Sequence, residues 1–333
     1  MITRLQPRSI RRLVLLAIVA LALAPGTFVR TATTEPDLRP ILDIVPLDIP
    51  QRALGGGLAV ENIWHLSSPN EYFGGYSGIA ALGSTDLLAV SDKGGWLRFD
   101  PERPRQAPEF GPLPRANLRN KHLVDAESIE FDPASGQIWI GYEGSNSIER
   151  SAPGFGQLKI AEPAGMRRWP GNRGPEAMAR LADGRFLVIG ETAPGWVGDG
   201  FPGLLFNGDP VEGAEAIEFT FSPPPGFRAT DLAALADGRV IVLLRAIENY
   251  LPPRFAIRFA IGEPTEIEEG SVWTTTPLAG LPNDMPSDNF EGLAAIENSD
   301  GSYTLWLISD DNGAVLQRTL LYRLRWDPAQ TAR

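Results

Sequence analysis

GPEAMARLADGRFLVIGET, residues 174–192, is a short apolar run, an Asp-Gly turn, and a more apolar run that ends in charge. The phrase recurs as GYSGIAALGSTDLLAVSDKGG at 75–95, DAESIEFDPASGQIWIGYEGSN at 125–146, ATDLAALADGRVIVLLRAI at 229–247 and NFEGLAAIENSDGSYTLWLISDDN at 289–312. Asp-Gly between apolar runs is a strong hairpin signal, because glycine tolerates the positive φ of the turn. Aligned on Gly78, Glu127, Glu176, Asp231 and Glu291, the phrases are 49, 49, 55 and 60 residues apart. A period near 50 built from short strands marks a radial repeat. The expected fold is an all-β propeller of four-stranded antiparallel blades, five by this count.

The remaining strands follow more loosely. SIERSAP pairs with QLKIAEP, GLLFNG with AIEFTFSP, and RFAIRFAIG with SVWTTTPL. After RTLLYRLRW at 318–326 the last repeat lacks an outer strand, which must come from LDIVPLDI at 42–49 or LAVENIWHL at 58–66. Such an N-terminal strand closes the ring and removes an exposed edge. Six blades result if the N-terminal strands and the 101–124 segment form an irregular extra one. No long amphipathic helix is evident.

Composition narrows the functional classes. The 333 residues carry a formal net charge of −11, against a nucleic-acid partner, which needs a basic face. With no cysteine there is neither a disulfide nor a thiolate metal site, and two histidines, His65 and His122, exclude a multi-histidine metal centre. No GxSxG elbow is present. No organic cofactor is expected, and the body, residues 36–333, reads as a single domain and a monomer.

Residues 1–35 read as a signal peptide and linker. Arg4, Arg8, Arg11 and Arg12 precede the apolar run LVLLAIVALALA at 13–24, which is short for a membrane span. The expected location is periplasmic or secreted, with membrane contact only through this segment if it stays uncleaved.

FGGYSGIAAL…LLAVSDKG, DAESIEF…IWIGYEGSNSI, NRGPEAMARLADGRFLVIGE, DLAALADGRVIVLLR and NFEGLAAI…LWLISDDN…QRTLLYRL together resemble the bacterial phytase-like β-propeller family, often called "esterase-like activity of phytase". The resemblance covers about residues 55–327. It implies an exported β-propeller with ester or phosphoester hydrolase activity, and it assigns no catalytic residue. The second and third anchors read DAES and PEAM where EG is commoner, but Glu127 and Glu176 are kept.

In a propeller the inner strands begin at one end of the channel, so Glu127, Glu176, Asp231 and Glu291 should converge there. Gly78 would leave a gap in their ring. Crowded carboxylates in a poorly solvated channel repel one another. Bound cations, pairing with arginines, or protonation can relieve this, and calcium best matches several oxygen ligands. Glu127, Glu176 and Glu291 are the catalytic candidates. The ends of the second strands supply Asp92, Glu143, Glu191 and Asp310, which with Asp231 are the metal-ligand candidates. Lys93, Arg173, Arg245 and Arg318 are the candidates for binding an anionic substrate. The plainer alternative pairs Arg173 with Glu127 or Glu176, and Arg245 with Asp231, as internal salt bridges. SDDNG at 309–313 reads as a turn or a partial ligand loop, His122 as a solvated loop residue or a general base, and Ser77 as a nucleophile without a base. Trp139, Trp306 and Phe186 fit the core between blades; Trp169 and Trp196 either pack locally or flank a ligand.

Two functions fit this pattern. One is a hydrolase of a small-molecule phosphoric or carboxylic ester with a carboxylate-lined, calcium-dependent site at the channel mouth. The other is a non-catalytic propeller that binds a ligand or protein partner in the cell envelope.

Overall fold

The computed structural model describes residues 11–12, 14–19, 35–115, 124–152, 154–170, 174–191, 200–250 and 253–331. The chain divides into two compact units, Met1–Asp37 and Leu38–Arg333. In the first, the described residues 11–12 and 14–19 are helical. Among the described residues no helix is long and apolar enough to cross a membrane.

The second unit is a five-bladed β-propeller. From the innermost strand outward, the first blade is Tyr76–Ala81, Leu87–Ser91, Gly95–Phe99 and Glu109–Pro112. The second is Ala126–Phe131, Ile138–Tyr142, Ser147–Ala152 and Gly156–Ala161. The third is Pro175–Arg180, Phe186–Gly190, Phe201–Phe206 and Ala216–Phe221. The fourth is Arg228–Ala234, Val240–Tyr250, Pro253–Gly262 and Thr276–Gly280. The fifth is Asn289–Glu297, Tyr303–Asp310, Thr319–Trp326 and, from the N-terminal side of the chain, Leu58–Ser67. Of the two candidate N-terminal segments, 58–66 thus takes the place beside Thr319–Trp326. Asp43–Pro46 and Arg52–Gly55 pair with the other side of Leu58–Ser67.

Two strand expectations change. Glu109–Pro112, the strand of the 101–124 segment among the described residues, completes the first blade instead of adding to a sixth. SVWTTTPL is shared between blades: Val272–Trp273 pairs in parallel with the outer strand of the third, and only Thr276–Gly280 serves the fourth. The physical reason is Trp273, whose ring packs 5.8 Å from Phe219 and 5.5 Å from Phe221. Burying that indole draws its segment to the third blade.

The hairpins form as their turns require. Asp183 and Asp237 accept the backbone N–H of Arg185 and Arg239 two residues on, with Gly184 and Gly238 at positive φ between them. Every residue of Leu87–Ser91, Ile138–Tyr142 and Phe186–Gly190 is buried, as strands flanked by neighbouring blades on both faces must be. Five hydrophobic clusters fill the spaces between successive blades, including that between the fifth and the first. Trp139 lies 5.2 Å from Phe186 in the cluster between the second and third blades, where Trp169 is also buried. Trp306 lies between the fifth and first. Trp196 and His122 fall outside the described residues.

Candidate functional site

One irregularity repeats in all five blades. The pairing of the innermost strand with its neighbour skips a residue near the start: Ser77, Glu127, Glu176, Thr230 and Glu291. A bulge of this kind leaves one residue unpaired and re-aims its side chain. It also corrects the alignment of the repeats. Gly78 and Asp231 are each one residue beyond the bulge, so the equivalents of the three glutamates are Ser77 and Thr230.

Those hydroxyls are spent on joining blades. Ser77 Oγ donates to the carbonyl of Ala126, and Thr230 Oγ1 donates to that of Phe290 at 3.1 Å. Ser77 is therefore a strut rather than a nucleophile. Asp231, almost fully buried, accepts the N–H of Leu232 at 2.8 Å and of Leu293 in the next blade at 2.7 Å. Burial pushes its carboxyl well above the usual range, these two donors notwithstanding.

With the register known, three positions per blade face the mouth. Two residues before the bulge stand Gly75, Asp125, Gly174, Arg228 and Asn289. The bulge itself holds Ser77, Glu127, Glu176, Thr230 and Glu291. Antiparallel pairing with the second strand brings Asp92, Glu143, Glu191, Arg245 and Asp310 alongside the first set. Arg228 pairs in register with Arg245, and Asn289 with Asp310.

The carboxylates gather on the second and third blades. Asp125, Glu127 and Glu143 can each offer an oxygen within 4.8 Å of the others, and Glu143, Glu176 and Glu191 do the same. Glu143 belongs to both trios. These clusters could hold a metal ion, since several carboxylate oxygens at that separation suit a hard cation. The gathered carboxylates repel one another. Burial, then Glu176, Glu291, Asp125 and Glu143, push the Glu127 carboxyl well above its ordinary value. Burial and then Glu191 and Glu291 do the same to Glu176, against the pull of Arg245.

Basic and amide groups also reach the mouth. Arg245 donates to Glu291 at 3.0 Å and to the side-chain oxygen of Asn289, whose amide in turn donates to Glu291 at 2.8 Å. Burial still lifts Glu291 to about 7, with Arg245 opposing. The salt bridge expected between Arg245 and Asp231 is thus made to Glu291 instead, because Arg245 stands at the mouth opposite Arg228 while Asp231 points toward the next blade's backbone. Arg228 reaches Glu191 at 2.5 Å. Lys93 sits 3.6 Å from Asp311. Asp92 and Asp310 are each raised to about 6, chiefly by burial, while Lys93 pulls both down. In SDDNG, Asp310 and Asp311 accept the N–H of Asn312 and Gly313, so the segment closes as a turn. Arg318 is held by its own N–H on the buried Asp288 at 2.9 Å, and its charge acts on Asp288 and Tyr322. Arg173 lies outside the described residues.

The structure therefore brings together Glu127, Glu176, Glu143 and Glu191, with Glu291, Asp92, Asp310, Lys93 and Arg245 beside them. Asp231 joins blades through backbone contacts. Sequence reasoning missed Asp125, Asn289 and Arg228 as site residues. Their only signal is a fixed position two residues before the bulge, and the register is needed to see it.

A family model described as phytase-like, "Esterase-like activity of phytase", matches residues 71–313. No curated protein matches the chain. Among solved structures, a nidogen/laminin complex is similar at 10% identity over 86% of this chain and 99% of that chain, with a TM-score of 0.41. A hypothetical protein from Leishmania major is similar at 12% identity over 93% and 94%, with a TM-score of 0.38. Hydrazine synthase from Kuenenia stuttgartiensis is similar at 13% identity over 71% and 77%, with a TM-score of 0.39. At these scores the likenesses carry no argument about function or site residues.

Proposed function

The chain belongs to the phytase-like family named for esterase-like activity, and from that premise we propose that it hydrolyses a small-molecule phosphoric or carboxylic ester at the acidic channel mouth, with calcium held by the second and third blades. The observation that carries the reading is the pair of carboxylate trios sharing Glu143. The residues present suit the ion: Asp125, Glu127, Glu143, Glu176 and Glu191 are all oxygen ligands, and none is soft or nitrogenous. When bound, such a cation polarises the ester oxygen and makes a water more acidic.

The protein's own groups supply the rest. Glu291, raised to about 7 and oriented by Arg245 and Asn289, is suited to take a proton near neutral pH. Water oxygen bonds to the carbonyl carbon or phosphorus as its proton passes to Glu291. The bond to the leaving alcohol breaks, and Glu291 returns the proton to that alkoxide. Arg245 and Lys93 favour an anionic or strongly polar acid portion of the ester. Export by the N-terminal basic and apolar segment, and action as a monomer in the periplasm or outside the cell, belong to the same reading.

The test is a screen of the purified protein against phosphomonoesters, phosphodiesters and acyl esters, with calcium and with chelator. Turnover that needs calcium and is lost in Glu143→Gln supports the reading. No turnover of any ester under either condition favours the non-catalytic alternative, a propeller that binds a ligand or protein partner in the envelope.

A further inference from the structure

Where the third blade hands the chain to the fourth, the outer strands leave a cavity of about 210 Å³. Pro224, from the connection between those blades, lines it together with Thr275, Pro277 and the buried Leu244 and Ala260 of the fourth blade. The opening has a local cause. The pairing of Pro253–Gly262 with Thr276–Gly280 slips between Phe259 and Ala260, and Pro277 stands opposite Ala260. A bulge leaves part of a ladder unpaired, and proline has no N–H to give it, so the two strands do not close regularly there. Arg258 and Thr275 are the only polar side chains among the described residues that line the space.

Arg258 differs from the other strand arginines of its blade. Arg228 is paired with Glu191 and Arg245 with Glu291, and Arg239 holds Asp237 in the hairpin turn. Among the described residues Arg258 makes no hydrogen bond and no ion pair. Its partner is the ring of Phe227, whose centroid lies 4.3 Å from Cζ. Phe227 is itself nearly buried and packs in the cluster between the third and fourth blades. The guanidinium is therefore stacked on a fixed aromatic surface, which covers one face and leaves its N–H donors free at the edge. Unlike a histidine or a carboxyl, this group is charged at every physiological pH, so the cation at the cavity is permanent.

We infer that this cavity is a second binding site, separate from the acidic mouth, for a small aliphatic carboxylate, with the acid group on Arg258 and a short alkyl chain against Leu244, Ala260, Pro224 and Pro277. A planar guanidinium fork matches a carboxylate with two parallel hydrogen bonds. An apolar wall with one or two placed polar groups is the usual make-up of a small-molecule site, and the volume, below that of a drug-sized pocket, limits the chain to a few carbons. Phosphate matches less well, because one arginine and one hydroxyl leave its further oxygens facing apolar side chains.

The experiment is a saturation-transfer nuclear magnetic resonance titration of the full chain with sodium hexanoate at pH 7. Saturable binding is expected, with 1-hexanol, which has the chain but not the charge, at least tenfold weaker. Arg258→Met, which keeps the stem and removes the fork, should weaken hexanoate tenfold or more. Thr275→Phe, which narrows the cavity from its partly exposed side, should do the same. Circular dichroism checks that each variant is folded, and if Arg258→Met is not, Arg258→Gln serves in its place. No saturable binding to the folded wild type would overturn the inference. So would unchanged affinity in folded Arg258→Met, equal affinity for 1-hexanol, or a loss of binding in Lys93→Met at the mouth in place of Arg258→Met. The reading of the mouth as a hydrolase is tested separately by ester turnover and does not depend on any of these results.

Discussion

The second and fourth blades place different chemistry on the same three backbone positions. In the second they are Asp125, Glu127 and Glu143; in the fourth they are Arg228, Thr230 and Arg245. Strand pairing, bulge and hairpin geometry are shared, so the difference lies in side chains alone. The second blade places three carboxylates at these positions. The fourth sends its arginines sideways, Arg228 to Glu191 and Arg245 to Glu291. One wall of the mouth is thereby mostly carboxylate, and the arginines beside it are paired with Glu191 and Glu291. A radial repeat supplies five copies of one backbone niche, and the chain differentiates them residue by residue.

The comparison can be broken most severely at Glu143, which both trios share. Glu143→Gln should lower calcium-dependent ester turnover by about 100-fold, roughly 3 kcal/mol of barrier, with the far-ultraviolet circular dichroism unchanged. On the fourth blade, Arg245→Met leaves Glu291 without its cation. Arg245 and Glu291 are largely buried, at 10% and 15% side-chain exposure, and loss of one partner of such a pair costs about 3 kcal/mol. Urea denaturation should show a lowered midpoint with the slope unchanged.

A gentler perturbation is pH. Glu291, like Glu127 and Glu176, titrates higher in the folded chain than the ordinary 4.5, so the folded state binds these protons more tightly. Stability from this source is therefore fully present below about pH 4.5 and is lost as pH rises toward 7, by on the order of 2 kcal/mol. In chelator the melting temperature should fall across that window, and calcium should restore it at pH 7 but not at pH 4.5. A melting temperature that rises from pH 4.5 to 7 without metal would contradict the crowding of carboxylates at the mouth. The smallest effect is expected at Asp231. Asp231→Ala leaves the N–H groups of Leu232 and Leu293 without their acceptor and should cost about 1–2 kcal/mol, with calcium affinity unchanged. A large loss of calcium affinity in that variant would return Asp231 to the metal site.

Much of the fold was legible because turn chemistry and apolar runs are local. Asp183-Gly184 and Asp237-Gly238 mark hairpins from neighbouring residues alone, and the five recurrences of apolar run, turn and apolar run set the blade count. Register is not local. Aligning like with like matched Asp231 to the glutamates, but the bulge places Thr230 there, and nothing in ATDL distinguishes the two. The site was readable to the same degree. Glu127, Glu176, Glu143 and Glu191 lie at strand ends that a hairpin must bring together. Asp125 and Asn289 stand outside the inner strand's apolar run, and their partners come from the second strand or a neighbouring blade. Trp273 shows the same limit in the core, since its partners Phe219 and Phe221 are some fifty residues earlier.

The most direct measurement is calorimetric titration of calcium into metal-free protein at pH 7, for the wild type and for Glu143→Gln. The second and third blades predict saturable binding by the wild type, with proton release as Glu127 and Glu176 ionise, and its loss in a folded Glu143→Gln. Absence of saturable binding by the wild type, or the same affinity in both proteins, would contradict the assignment of the acidic mouth as a cation site.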